Sequence, residues 1–144
     1  VARAIGINHV ALEVGDVDEA LAWYGRFLEF ELRGRRSTMA WIDLGDQFLA
    51  LTSGRRQGPD DGRHFGLVVD DKEAVRMALA AAGVDVAPQG GLRFHDPWGN
   101  AIEIVDYRDV QFTKAPTILS ALAPGGLEKS AAALEELERK GLAG

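Results

Sequence analysis

The sequence predicts an α+β fold in which a βαβββ unit is used twice and is followed by a C-terminal helix. Three observations carry this. Two segments about 55 residues apart share one layout, His9-Val-Ala-Leu-Glu-Val-Gly-Asp and His64-Phe-Gly-Leu-Val-Val-Asp-Asp. A helical apolar pattern follows each of them. Short alternating runs, separated by turn residues, then follow each helix.

In the first unit the strand from His9 carries large apolar residues at Val10, Leu12 and Val14. A helix over 17–28 follows, with Ala20, Leu21, Tyr24 and Leu28 on one face. Three strands are expected over 30–35, 38–44 and 47–52, joined at Arg36-Ser37 and Gly45-Asp46. The polar, turn-rich stretch 54–62 connects the halves. The second unit repeats the scheme with a helix over 72–82, bearing Val75, Ala78, Leu79 and Ala82, and closed by Gly83 where a left-handed residue is wanted. Its strands are expected at 84–87, 92–95 and 101–106. The last helix is expected over 127–140, with Leu127, Ala131, Leu134 and Leu137 on one face. Glu135/Arg139 and Glu136/Lys140 on its other face are i,i+4 pairs worth about 0.3–0.5 kcal/mol each.

Length and composition place the whole in one soluble domain: 144 residues, 47% hydrophobic and 26% charged. The absence of cysteine removes disulfides, thiolate metal sites and cysteine nucleophiles, so a metal site must be built from His, Asp, Glu or main-chain oxygen. A net charge of −6 argues against nucleic acid as a partner. No long apolar span or basic-then-apolar leader is visible, so no membrane association and a cytoplasmic location are expected. Arg33, Arg35, Arg36, Arg55, Arg56 and Arg63 crowd one 31-residue window, either as solvated strand ends and loops or as the approach for an anionic substrate.

Strand alternation assigns the sheet faces, because neighbouring residues point to opposite sides. Val10, Leu12 and Val14 form the row that covers the helix, which puts His9 on the other face. Phe65, Leu67 and Val69 do the same and put His64 opposite. Ile102 and Ile104 pack under helices, leaving Glu103 with Ala101 and Val105 on the non-helical side. Small same-face neighbours, Ala11, Gly66 and Ala101, leave volume beside each polar head. Two imidazoles and a carboxylate on one partly dry face need a compensating charge, and a divalent cation compensates all three. His9, His64 and Glu103 are therefore the expected metal ligands. Two histidines plus one carboxylate suit Fe(II) first, and also Mn, Ni, Co or Zn.

The segments Ile7-Asn8-His9-Val10-Ala11-Leu12-Glu13-Val14 with Trp23-Tyr24, His64-Phe65-Gly66-Leu67-Val68-Val69-Asp70-Asp71, and Asp96-Pro97-Trp98-Gly99-Asn100-Ala101-Ile102-Glu103 resemble the vicinal oxygen chelate superfamily. That superfamily includes glyoxalase I, extradiol dioxygenases, methylmalonyl-CoA epimerase and the bleomycin- and fosfomycin-resistance proteins. The resemblance implies two βαβββ modules, 4–53 and 63–108, forming a curved half-open barrel within a domain over 1–112, with a C-terminal extension over 113–144. It implies metal ligands at His9, His64 and Glu103, and a metal that chelates adjacent oxygens of a small substrate. The fourth ligand of glyoxalase- and epimerase-type members would fall at Ala50, which cannot coordinate. Three ligands resemble the extradiol dioxygenases. The tyrosine that ring-cleaving members commonly carry about ten residues before the ligand glutamate is replaced here by Arg93.

Alternation sends Leu92 and Phe94 to the helix side and Arg93 and His95 to the opposite face. Arg93 is suited to neutralise a carboxylate or enolate oxygen, and so to bind substrate. His95 is suited to acid–base work, or alternatively to bracing the turn at Asp96. Trp41 and Phe48 share the non-helical face and are candidates for contacting an apolar or aromatic substrate, or for packing. The expected activity is that of a dioxygenase-like metalloenzyme. A metal-dependent isomerase or lyase, and a non-catalytic antibiotic- or metabolite-binding resistance protein, stay open beside it. The amphipathic tail and the habit of the family make a homodimer the expected assembly.

Overall fold

The computed structural model describes residues 6–142. Residues 4 and 5 of the first expected module, and 143 and 144 of the extension, lie outside the described residues. The fold is α+β, in two compact units that divide between Gly58 and Pro59. No helix among the described residues is long and apolar enough to cross a membrane.

The first unit holds β1 (His9–Val14), α1 (Val17–Tyr24), β2 (Leu32–Arg36), β3 (Met39–Asp43) and β4 (Phe48–Ser53). Its sheet runs β1-β4-β3-β2, with β1 parallel to β4 and the other pairs antiparallel. Asp16 starts α1 by accepting the amides of Asp18 and Glu19 at 2.8 and 3.0 Å, satisfying two N–H groups that the first turn leaves open. The helix is shorter than its apolar pattern. Past Gly25 the amides of Arg26 and Phe27 reach back only three residues, so the chain tightens before Leu28. Leu12, Val14, Val17, Ala20, Tyr24, Ala40, Ile42, Leu49 and Leu51 are buried, as alternation requires. Each large member contributes about 1.5–3 kcal/mol of burial free energy.

The second unit opens with β5 (Phe65–Val69) and α2 (Lys72–Ala81), followed by β6 (Leu92–His95) and β7 (Ala101–Asp106). The sheet order is β5-β7-β6, with β5 and β7 parallel. Asp71 caps α2 through the Ala74 amide, and Gly83 follows it with φ +68°, the left-handed residue expected there. The strand expected over 84–87 does not form. Its one ladder-like bond runs from the Ala87 amide to the Arg93 carbonyl, 2.8 Å. Pro88 has no amide to donate, and Gly90 and Gly91 (φ +83° and +107°) turn the chain away before a second bond can close. The second sheet therefore has three strands where the first has four.

After a 3-10 turn at Tyr107–Asp109 the chain forms α3 (Pro116–Leu122) and α4 (Ala131–Arg139). The apolar pattern alone does not announce α3. Proline at its first position supplies a preset φ and loses no bond. The last helix starts at the Ser130 cap instead of at Leu127, because Lys129 is used otherwise. Its ammonium donates to the carbonyls of Tyr107, Val110 and Phe112 at 3.1, 2.8 and 2.6 Å and lies 3.6 Å from the Tyr107 ring centre. Burial lowers the Lys129 pKa, and three carbonyls with a ring face answer that cost. α4 docks within its own unit, beside the Tyr107 turn, through buried Ala133 and Leu137; of the expected stripe Ala131 and Leu134 are exposed, because the helix begins later than expected and turns Ala133 inward with Leu137. Of the two expected ion pairs on its outer face, Lys140 reaches Glu136.

Candidate metal centre

In the first unit, His9 opens β1 on the face opposite Leu12 and Val14. The β1–β4 register sets it directly beside Phe48, and the two rings stack with centroids 4.6 Å apart and planes 6° from parallel. The Arg33 guanidinium lies 5.0 Å from the centre of the same Phe48 ring. On the other side of the imidazole, Nδ1 meets Asn8 Oδ1 at 2.9 Å. An amide oxygen only accepts, so Nδ1 is the donor, and the neutral ring in this tautomer would offer Nε2 as the ligand atom.

Trp41 follows the same logic one strand further. It faces Gly34, where a Cβ would come 3.4 Å from its ring, and the Arg36 guanidinium lies 5.7 Å from its ring centre. Ala50 sits between Ala11 and Trp41 in the ladder, is buried, and offers no donor atom.

In the second unit, β7 places Glu103 between Gly66 on β5 and Arg93 on β6. His64 immediately precedes β5. The structure brings these three side chains together: Arg93 donates from Nε and Nη2 to Glu103 Oε2 at 3.1 and 2.9 Å, and His64 Nε2 lies 3.6 Å from that same oxygen. The other oxygen, Oε1, occupies space that exists because residue 91 is glycine; a Cβ there would stand 2.9 Å from it. Glu103 is the most enclosed of the three, 23% exposed against 44% for His64 and 47% for Arg93.

Of these, His64 and Glu103 are the pair that fits a divalent cation. Two donors each about 2.0–2.2 Å from one ion can be separated by up to about 4 Å, and His64 and Glu103 are within that span. Carboxylate oxygen and neutral imidazole nitrogen also suit the metals expected from the sequence. Within neither unit, among the described residues, are three or more His, Asp or Glu side chains grouped as a metal site. His9 belongs to the first unit, and His64 and Glu103 to the second.

His95 lies across from Ala101 on β6, and its Nε2 is 2.8 Å from the main-chain carbonyl oxygen of Asp60. The Asp96 turn itself is braced by Asn100, which donates its side-chain amide to Asp96 Oδ2 at 2.7 Å, while the main-chain amides of Trp98 and Asn100 bond to Asp96 Oδ1. Asp96 and Asn100 are both buried. Three supporting residues escape a reading of the sequence. Asn8 has a readable signal, since an amide next to a candidate ligand can fix its tautomer. Gly91 is legible only as a turn residue, and the acceptor role of the Asp60 carbonyl has no side-chain signal at all.

The model of the Glyoxalase/Bleomycin resistance protein/Dioxygenase superfamily matches residues 6–104, and the chain belongs to that superfamily. The glutathione transferase FosA of Serratia marcescens is 28% identical over 110 residues, covering 68% of this chain and 78% of the relative. Among solved structures, the lactoylglutathione lyase of Agrobacterium tumefaciens is similar with a TM-score of 0.56 and 22% identity, over 74% of this chain and 96% of that one. A mutant form of the fosfomycin resistance protein FosX of Listeria monocytogenes, complexed with Mn(II) and 1S,2S-dihydroxypropylphosphonic acid, aligns with a TM-score of 0.62 and 15% identity, over 71% and 90% of the two chains.

Proposed function

We propose that this protein is a metal-dependent enzyme that takes a small oxygen-bearing anion and activates it for a redox-neutral addition or isomerisation. The observation that carries this is the convergence of the Arg93 guanidinium and the His64 imidazole on Glu103 Oε2. A cation for an oxyanion and two metal-type donors are thereby adjacent. The relatives point the same way, since FosA is named a transferase and the Agrobacterium protein a lyase.

In this reading His9, His64 and Glu103 are metal ligands, with Fe(II), Mn, Ni, Co and Zn as candidate ions. The ion, when bound, supplies Lewis-acid polarisation of substrate oxygens. Asn8 and Phe48 fix the tautomer and plane of His9. Arg93 neutralises the substrate's anionic group with its planar fork of donors, and so acts in binding and in catalysis. His95 has its Nε2 engaged by a carbonyl, which places the proton on Nε2 and leaves Nδ1 able to accept one. Trp41 and Phe48 give substrate an apolar contact. A homodimer is the proposed assembly, checked by light scattering for twice the chain mass.

A second reading, O2-dependent cleavage of an aromatic ring, is favoured by Ala50, which leaves three ligands and no fourth. A pure sequestering role is the non-catalytic alternative. Mn(II)- and Fe(II)-loaded protein assayed with fosfomycin, with and without glutathione, and separately for oxygen uptake with catechols, divides these. Loss of fosfomycin in NMR spectra supports the first reading. Oxygen uptake on a catechol, with fosfomycin untouched, overturns it, and binding without turnover supports sequestration.

A further inference from the structure

We propose that Arg93 is a built-in counter-cation that occupies Glu103 until the divalent metal displaces it, so that metal and an oxyanion each favour the binding of the other. The proposal rests on the reading of Glu103 as a ligand. Arg93 sends two N–H groups, from Nε and Nη2, to one carboxylate oxygen, and that oxygen is also the one 3.6 Å from His64 Nε2. A carboxylate oxygen offers about two lone-pair directions, and both are taken. An ion approaching His64 and Oε2 therefore meets a guanidinium that cannot lose its charge. Either the arginine leaves that oxygen or the metal does not bind it.

Arg93 cannot go far. Its backbone is locked opposite Glu103 in the β6–β7 ladder, so a displaced guanidinium swings while its Cα stays beside the ligand. Nearly half exposed, it then presents a planar fork of donors to solvent, the form that pairs with a carboxylate, phosphonate or phosphate. The same exchange runs in reverse, because an oxyanion that draws Arg93 off Glu103 frees the carboxylate for metal. Binding free energies are reciprocal, so the two effects are equal in size. The protein would thus have low affinity for metal alone or anion alone, and would assemble the pair together.

The test is Mn(II) titration of the full chain, read from the electron paramagnetic resonance signal of free Mn(II), for wild type, Arg93→Gln, Arg93→Lys and Glu103→Gln, with and without methylphosphonate. Arg93→Gln is expected to bind Mn(II) about two- to fivefold more tightly, in line with the removal of a partly exposed ion pair. Methylphosphonate is expected to tighten Mn(II) binding by wild type and to lose most of that effect in Arg93→Gln. Arg93→Lys keeps a charge but not the fork and is expected in between; it also serves if the glutamine variant does not fold. Unchanged or weaker Mn(II) binding by both Arg93 variants overturns the proposal and makes Arg93 a support for Glu103. If wild type and every variant ignore Mn(II), or Glu103→Gln binds it as wild type does, the metal reading itself fails and takes the proposal with it.

Discussion

The imidazole of His9 lies flat on the ring of Phe48, and Asn8 holds its Nδ1 at 2.9 Å. The ring is thereby fixed on one face and at one nitrogen, with Nε2 left over. On the proposed reading of His9 as a metal ligand, removing either contact should damage ligation more than folding. Asn8→Ala is expected to weaken Mn(II) binding by about 10- to 100-fold, the usual range for a hydrogen-bond partner of a metal-bound histidine. Calorimetric titration reads this, with a Tm within a few degrees of wild type as control.

Gly91 and Gly99 give a paired prediction in the second unit. Both have positive φ, +107° and +89°, and both are crowded. An alanine Cβ at residue 91 would meet Glu103 Oε1 at 2.9 Å, whereas one at residue 99 would meet the Pro59 Cα at 2.6 Å. A carboxylate can shift and a backbone cannot. Gly99→Ala is therefore expected to be the more destabilising, by more than the roughly 1–3 kcal/mol of backbone strain alone. Gly91→Ala should stay near that figure while lowering metal affinity. Urea unfolding and Mn(II) titration of the two variants separate the effects.

Lys129 anchors the extension through three carbonyl oxygens and the Tyr107 ring. Lys129→Met keeps most of the apolar stem and removes the donors, leaving three carbonyls short of a partner. A loss of about 1.5–3 kcal/mol is expected, the range for hydrogen bonds to a charged group. Faster proteolysis between residues 110 and 130, with the two sheets still protected, would show that the loss is local.

The pH dependence of α4 follows from Glu136. Its pKa is lowered from 4.5, chiefly by the hydrogen bond from Lys140. A carboxylate with a depressed folded pKa adds stability above its unfolded value and loses it as pH falls through the folded one. The contribution is thus complete at neutral pH and disappears below pH 4.5. An NMR titration should place the Glu136 midpoint below 4.5, and Lys140→Met should return it toward that value.

The faces of the candidate residues were legible because they depend on the period of a strand. Leu12 and Val14, Leu49 and Leu51, and Ile102 and Ile104 are buried as alternation demands, which fixes the face of His9, Ala50 and Glu103 without coordinates. The ten-residue spacing of Arg93 and Glu103 likewise becomes a direct cross-strand pair, because the β6–β7 hairpin is antiparallel and regular. What escaped depends on contacts between distant stretches. Val84 to Ala87 have strand-like residues and lie beside the edge strand β6, but Pro88 and the turn at Gly90 and Gly91 end the pairing after one bond, which propensity alone does not report. Lys129 read as an ordinary helical lysine, since nothing local announces three carbonyls converging from residues 107–112. The room at Gly91 is equally silent, because the atom it accommodates belongs to Glu103, on a different strand.

The arginines of β2 acquire another meaning from the order β1-β4-β3-β2, which puts that strand at the end of its sheet among the described strands. Such a border carries unpaired amides and carbonyls that invite another chain to add on. Arg33 and Arg36 are held over aromatic rings, whereas Arg35 is paired with Asp18, so Arg33 and Arg36 are the two fixed cations outside that pair that line the border. Two copies meeting along it in antiparallel fashion would force like charges together. A strand rich in arginine is thereby a poor template for a second copy of itself.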